Sequence, residues 1–519
     1  MKKAIYLIIA LIGLSAPSCS DSMLDFSPTD SGSGKELLKS ASTAITSVNG
    51  VYRSMWTAGW STTANTHQCF GIAAYNLALD CMADDLIMQS QGNGWFWGDH
   101  CYNVKSNYTS SAFRSYDVWY ANYKWIANVN YIIDAEPEMA GTEADVAYVA
   151  GQAYAIRALC YLNLATWFSR APYNSLTGAS RWNEPCVPVY TTGTSIDTGG
   201  QPRESLRTVY GRIDQDIDRA IELLEKARET TLAENNKSHI NLYVALGIKS
   251  RACLAEGDWD GAFKAAKRVI DEGGYAVGTK SDLTGGMNSL DKQNVMWGAG
   301  LQVADQAGGY AGFFTHMDNK EGAYAKSAPK LISKQLYNRI SATDIRRDWW
   351  DPSDKESPYV SKKFSFANVA SFLGDYIYMR VEEMYFTAAE AALRLDDLKS
   401  ARELMNTVMA ERDPGYSANN RSGTLLGATT TTWTGSFLEN ILTHRRIELW
   451  GEYGRLFDVR RLGQGIDRRT DDGFSEECIS MMNRRNVNIT KADTYDWVLT
   501  IPKAELDANP NINEEDQNP

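Results

Sequence analysis

The chain has 519 residues, 44% hydrophobic and 11% aromatic, with a formal net charge of −12. This composition excludes a disordered polymer, which cannot bury enough apolar surface to fold. The acidic balance, with no block of Lys and Arg, excludes a nucleic-acid binder, which needs a cationic face for phosphates.

At the N-terminus, Lys2 and Lys3 precede an apolar run at 4–14, small residues at 15–18 and then Cys19. That order is the pattern of a secretory signal peptide over 1–18, and the run is shorter than the roughly 20 residues that span a bilayer as a helix. A cysteine directly after the small residues predicts cleavage before Cys19 and lipidation of its thiol. Residues 19–35, rich in Ser and Gly, read as a flexible tether, and the folded body is expected over 36–519. The cysteines beyond Cys19 are odd in number, so they cannot all pair within the chain, and no CxxC occurs. Cys160 and Cys253 fall inside apolar helical patterns and read as small core residues.

From about residue 36 the periodicity is helical. In 205–228, Leu206, Val209, Tyr210, Ile213, Ile217, Ile221 and Leu224 recur at steps of three and four, one apolar stripe on a helix. The same pattern predicts helices over 115–133, 144–168, 240–256, 259–271, 377–395, 399–412 and 437–462. Short strands are expected at 294–297 and 497–501. Residues 251–262 (RACLAEGDWDGA) and 389–401 (AEAALRLDDLKSA) resemble one another: a small and apolar helix, a turn with Asp, then Ala. Such a pair is the logic of a tetratricopeptide hairpin, which buries its apolar face by stacking on its neighbours. The expected fold class is therefore mostly α, a tetratricopeptide-type superhelix with long irregular loops and a few short strands. Helical repeats are expected over about 36–272 and 377–412. Long Gly-, Ser- and aromatic-rich insertions at about 61–110 and 273–376 interrupt them, and loops of that length usually carry function.

The chain contains no HExxH, GxSxG, Walker A or GxGxxG motif, so neither catalytic metal nor nucleotide cofactor is expected. Asp84–Asp85, the most conspicuous carboxylate pair, reads as a solvated or capping feature rather than as a glycosidase pair. Arg445, Glu448, Glu452, Arg455 and Asp458 fall three or four apart and read as an ion-pair ladder on one helix face. What remains is aromatic: 27 Tyr and 15 Trp exceed what a core needs. Trp95 and Trp97 stand in a Gly-rich stretch with Asn93 and Asp99. Trp297, Tyr310, Phe313 and His316 form a second cluster. Indoles stack on the C–H faces of sugar rings while Asn and Asp bind hydroxyls, so these eight residues are the candidate ligand-binding set.

Four further stretches carry a resemblance. The helix GQAYAIRALCYLNL at 151–164, the segment MRVEEMYFTAAEA at 379–391, the run RRIEL…RLFDVR at 445–460 and the ending IPKAELDANP…QNP at 501–519 resemble, in that order, motifs of the SusD/RagB family of outer-membrane nutrient-binding lipoproteins. The resemblance implies a helical body of tetratricopeptide units with a loop-borne ligand site, non-catalytic capture of an oligo- or polysaccharide, and delivery to a SusC-like TonB-dependent transporter. It also implies attachment to the outer membrane by the lipid anchor and a structural role for the signature arginines. A tetratricopeptide scaffold with a protein as its only ligand and a carboxylate glycoside hydrolase are the alternatives. The acidic charge, with no Arg- or Lys-rich loop, favours a neutral glycan.

Overall fold

The structure is a computed structural model that describes residues 34–57, 66–103, 113–195, 197–233, 237–305, 311–492 and 494–519. Cys19 with its tether and Tyr310 lie outside the described residues. The main helices are α1 Ala41–Ser54, α2 Ile72–Met82, α3 Trp97–His100, α4 Phe113–Ala135, α5 Glu143–Phe168, α6 Leu206–Lys226, α7 Leu242–Glu256 and α8 Trp259–Glu272. They continue as α9 Phe313–Met317, α10 Ala323–Ser327, α11 Val381–Arg394, α12 Leu398–Ala410, α13 Phe437–Glu448, α14 Arg455–Leu462, α15 Glu476–Arg484 and α16 Lys503–Ala508. Among the described residues no helix is long and apolar enough to cross a membrane.

α6 shows why these helices form. Ser205 caps it by accepting from Thr208 N at 3.2 Å. Leu206, Val209, Tyr210, Ile213, Ile217 and Leu224 of the predicted stripe are buried, while Ile221 at its margin is only partly so. Each buried aliphatic side chain contributes about 1.5–3 kcal/mol. α4 to α8 pack in succession, each on the next, and α8 then packs on α11 and α11 on α12. The superhelix thus skips the long insertion and resumes beyond it. The two similar hairpins correspond in detail. Asp258 Oδ1 accepts from Gly261 N at the start of α8, and Asp397 Oδ1 accepts from Ser400 N at the start of α12, both at 3.0 Å. The residue before each cap is left-handed, Gly257 at φ 77° and Asp396 at φ 63°. Ala262 and Ala401, at equivalent places, are fully buried.

The strands form two small sheets. One has the order β1 (Leu86–Met88), β3 (Lys330–Ile332), β5 (Val360–Ser361), β4 (Trp350–Asp351); the other pairs β2 (Val295–Ala299) with β6 (Tyr376–Arg380) antiparallel. β6 corrects the helix expected over 377–395. Its first residues alternate across a strand, and the helix starts only at Val381. The helix expected over 437–462 also divides. Gly451 and Gly454 are left-handed, at φ 75° and 87°, and turn the chain between α13 and α14. Residues 497–501, expected as a strand, join no sheet: Trp497 lies in a turn that Val498 N closes by donating to Tyr495 O at 2.9 Å. Leu499 N donates to Trp167 O, and the side-chain amides of Gln517 and Asn518 bond the backbone of Ile501 and Leu499. One apolar core runs from Ala41 to Ile512 and includes Cys160, while Cys253 is buried in a satellite of it.

Candidate functional site

β1–β3 pairing brings the two insertions together. Met88 lies opposite Lys330, so the loop leaving β1 and the helix entering β3 emerge at one end of the sheet. The loop then runs along α10 at close range: a Cβ on Gly92 would lie 2.6 Å from Ser327 O, and Gly92 itself is left-handed at φ 50°. As a result Trp95 meets Tyr324 with ring centroids 6.0 Å apart, and its indole stacks on His67 at 5.0 Å with 20° between the planes. The hydroxyl of Tyr324 and Nδ1 of His67 share a hydrogen bond at 2.6 Å. Trp95 is half-buried and Asn93 is exposed. Among the described residues the Trp95 indole N–H has no acceptor.

Behind this platform lies a second aromatic layer. His316 Nε2 donates to the His67 carbonyl at 2.6 Å, and its ring stacks on Phe70 with an edge contact to Phe96. Burial, aided by the charge of Lys330, holds the His316 imidazole well below its ordinary pKa, so it is neutral with its proton on Nε2. Phe96 is left-handed at φ 60°, and its N–H donates to Gln68 Oε1 at 2.8 Å. That turn directs the chain inward after Trp95.

The remaining expected site residues are interior. Trp97 is 3% exposed and packs near His100. Asp99 makes a bidentate pair with Arg114 at 2.8 and 2.9 Å, with both side chains fully buried. Phe313 packs among Phe314, Phe364 and Tyr376. Trp297 sits on β2, donates its indole N–H to Ser238 O and packs on Tyr378. None of these four rings or carboxylates can face a ligand in this conformation, because the residues around them occupy their surfaces. Of the eight, the described structure leaves Trp95 and Asn93 accessible. His67 and Tyr324 were not foreseen. His67 lies within the first insertion and Tyr324 within the second, eight positions beyond His316, but no spacing in the sequence joins them.

The carboxylate pair is also corrected. Asp84 and Asp85 are buried, and Arg446 and Arg455 each contact both at 2.6–3.2 Å. Asp80 lies behind them and accepts from Arg455 N at 2.7 Å. The five signature residues do not form a ladder on one face. Arg445 bonds Asp458 across the α13–α14 turn at 2.9 Å. Glu448 collects Arg346, Arg380 and Arg412 at 2.9–3.1 Å, and Glu452 takes Arg380 and Lys363. These arginines hold Glu448 well below the usual carboxylate range despite its burial. Among the described residues no group of His, Cys, Asp and Glu could hold a metal ion.

Two family models match the sequence, in stretches that do not overlap. The SusD family model matches residues 329–519, and a model described as starch-binding and associating with the outer membrane matches residues 43–254. The chain belongs to the SusD/RagB family. Its fold is that of solved SusD-like structures. A SusD-like carbohydrate binding protein from Bacteroides vulgatus is 24% identical, with a TM-score of 0.73, over 92% of this chain and 98% of that one. A SusD superfamily protein from Bacteroides thetaiotaomicron is 22% identical, with a TM-score of 0.74, over 92% and 100%. Surface glycan-binding protein A from Bacteroides thetaiotaomicron, solved with laminarihexaose, is 15% identical, with a TM-score of 0.62, over 92% and 99%. No curated protein sequence matches the chain. In this SusD/RagB protein the signature arginines and acids form the buried network joining α2, α11, α13 and α14, away from solvent.

Proposed function

We propose that this SusD/RagB protein captures an oligo- or polysaccharide without cleaving it, on the loop face that carries Trp95 and Asn93. The observation that carries this reading is the half-buried Trp95 indole, held by His67 and Tyr324. A ring fixed in place stacks on a pyranose without losing rotamer entropy on binding, and Asn93 beside it offers both a donor and an acceptor to hydroxyls. The family and the glycan-bound relative support the same chemistry. Lipid attachment at Cys19 would hold the body at the outer membrane, beside a SusC-like TonB-dependent transporter that takes the captured glycan. The net charge of −12 favours a neutral one.

The test is affinity electrophoresis of the chain from residue 20 in gels cast with neutral glucans, mannans, fructans or galactans, with reducing-sugar release assayed in parallel. Retardation by one polymer with no sugar released is expected. Blank gels across the panel, or release of product, would overturn the reading.

A further inference from the structure

α4 bears Tyr116, Trp119, Tyr120 and Tyr123 three and four positions apart, on one face. The opposite face, with Val118, Trp125 and Val129 fully buried, is the one that packs into the core. The aromatic face is not covered in the same way. Together with Tyr190, Thr194, Ser195 and residues 198–200 of the following loop, and with Glu505 of α16, it encloses an open cleft of about 530 Å³, into which Tyr120, Tyr123 and Tyr190 turn half-buried rings.

The walls are fixed in advance. Tyr123 donates its hydroxyl to Pro188 O at 2.8 Å, and the Tyr190 hydroxyl accepts from Gln201 N at 3.0 Å. Those two rings meet edge to face at 5.9 Å, and Tyr116 and Tyr120 stack at 5.4 Å. The Glu505 carboxylate accepts from Trp119 Nε1 at 3.3 Å and Asn509 Nδ2 at 2.8 Å, leaving further lone pairs on both oxygens. The loop is pressed onto the end of α16. A Cβ on residue 200 would lie 2.1 Å from Asn509 Oδ1, so only glycine fits, and Asn511 Nδ2 bonds the Gly200 carbonyl at 2.6 Å.

The chemistry of the lining selects among ligands. An apolar guest would strip water from Glu505 and Lys124 without replacing it. An anion would face Glu505, and a cation would face Lys124, which lies over the Tyr120 ring. A neutral ring with two apolar faces and a rim of hydroxyls satisfies the tyrosines, the carboxylate, the ammonium and the hydroxyls of Ser195 and Thr198 together. We infer that this cleft is a second carbohydrate subsite, taking one or two neutral sugar units of the same polymer that the Trp95 face holds. The inference rests on the glycan-capture reading. Two subsites on one body would hold a polymer by avidity, which a short oligosaccharide cannot exploit.

The experiment uses the full chain, the polymer that retards it and that polymer's hexasaccharide. Tyr120→Ala removes a wall. Gly199→Trp fills the cleft from an exposed position where an added Cβ meets nothing within 4 Å, and an unchanged thermal melt confirms that the variant is folded. Each variant is expected to weaken polymer retention about fivefold or more, as loss of one aromatic contact predicts, and to remove one of two binding events seen with the hexasaccharide by calorimetry. Trp95→Ala is expected to remove the other. Retention lowered by Trp95→Ala but unchanged in both cleft variants overturns the subsite while leaving the capture reading in place. Retention lowered only by the cleft variants upholds the subsite and overturns the Trp95 assignment. If no polymer in the panel retards the wild type, the capture reading falls and the subsite with it.

Discussion

The Trp95 indole lies parallel to the His67 imidazole at 5.0 Å, although the loop and the short helical turn that carry them are separate elements. Trp97, two residues on, points the other way and is 3% exposed. The two tryptophans should therefore respond differently to truncation. Trp95→Ala is expected to weaken glycan retention with a small change in melting temperature. Trp97→Ala leaves a core cavity and should cost about 3–5 kcal/mol in stability. Thermal melts and affinity gels on the two variants check this, and equal melts would contradict the burial difference.

Glu448 is the common partner of Arg346, Arg380 and Arg412 in a site sealed from solvent. Replacing it by Gln leaves three buried guanidinium groups short of one charge. Urea unfolding of Glu448→Gln should show a loss of about 3–5 kcal/mol. Lys264→Ala breaks an exposed pair with Asp260 and should change stability by less than about 1 kcal/mol. A similar small change in both would mean that the network contributes little.

Burial pushes the Asp80 carboxyl up to about 8 from its usual 3.8. The folded state then holds a proton that the unfolded chain releases above pH 4. Between pH 4 and 8 the folded form binds more protons, so this residue's contribution to stability falls as pH rises through that window and is constant above it. Asp80→Asn removes the titration. The stability of Asp80→Asn relative to wild type should increase from pH 5 to pH 8, and a difference independent of pH would refute the assignment.

The corresponding aspartates of the two hairpins give a further test. Asp258→Ala and Asp397→Ala each remove a helix cap and should each cost about 1 kcal/mol. The caps begin two separate helices, so the double variant should lose roughly the sum. Denaturant midpoints of the three variants decide it.

The helical body was legible because α6 and its neighbours repeat apolar residues at helical spacing, and the capped aspartates of the hairpins mark where α8 and α12 begin. Strand β6 was not, because Tyr376–Arg380 runs directly into α11 without a turn residue between them. The division of α13 from α14 could have been read from Gly451 and Gly454, which stand three apart inside the signature. Site residues were harder. Trp95 and Trp97 share a composition and a neighbourhood, and what separates them is one left-handed residue, Phe96, whose φ cannot be read from its side-chain type. Asp84 and Asp85 looked solvated because their counter-charges lie near the other end of the chain. Tyr120, Tyr123 and Tyr190 passed unnoticed because an aromatic helix face looks like core until the packing on both sides is known.

That last distance has a consequence in time. Asp85 and Arg446 are 361 positions apart. A ribosome adding ~5–20 residues per second delivers the arginine roughly 20–70 s after the aspartate. Throughout that interval the segment between α2 and β1 carries two acids, Asp84 and Asp85, whose counter-charges have not yet been made. This buried network closes only when the last third of the chain arrives.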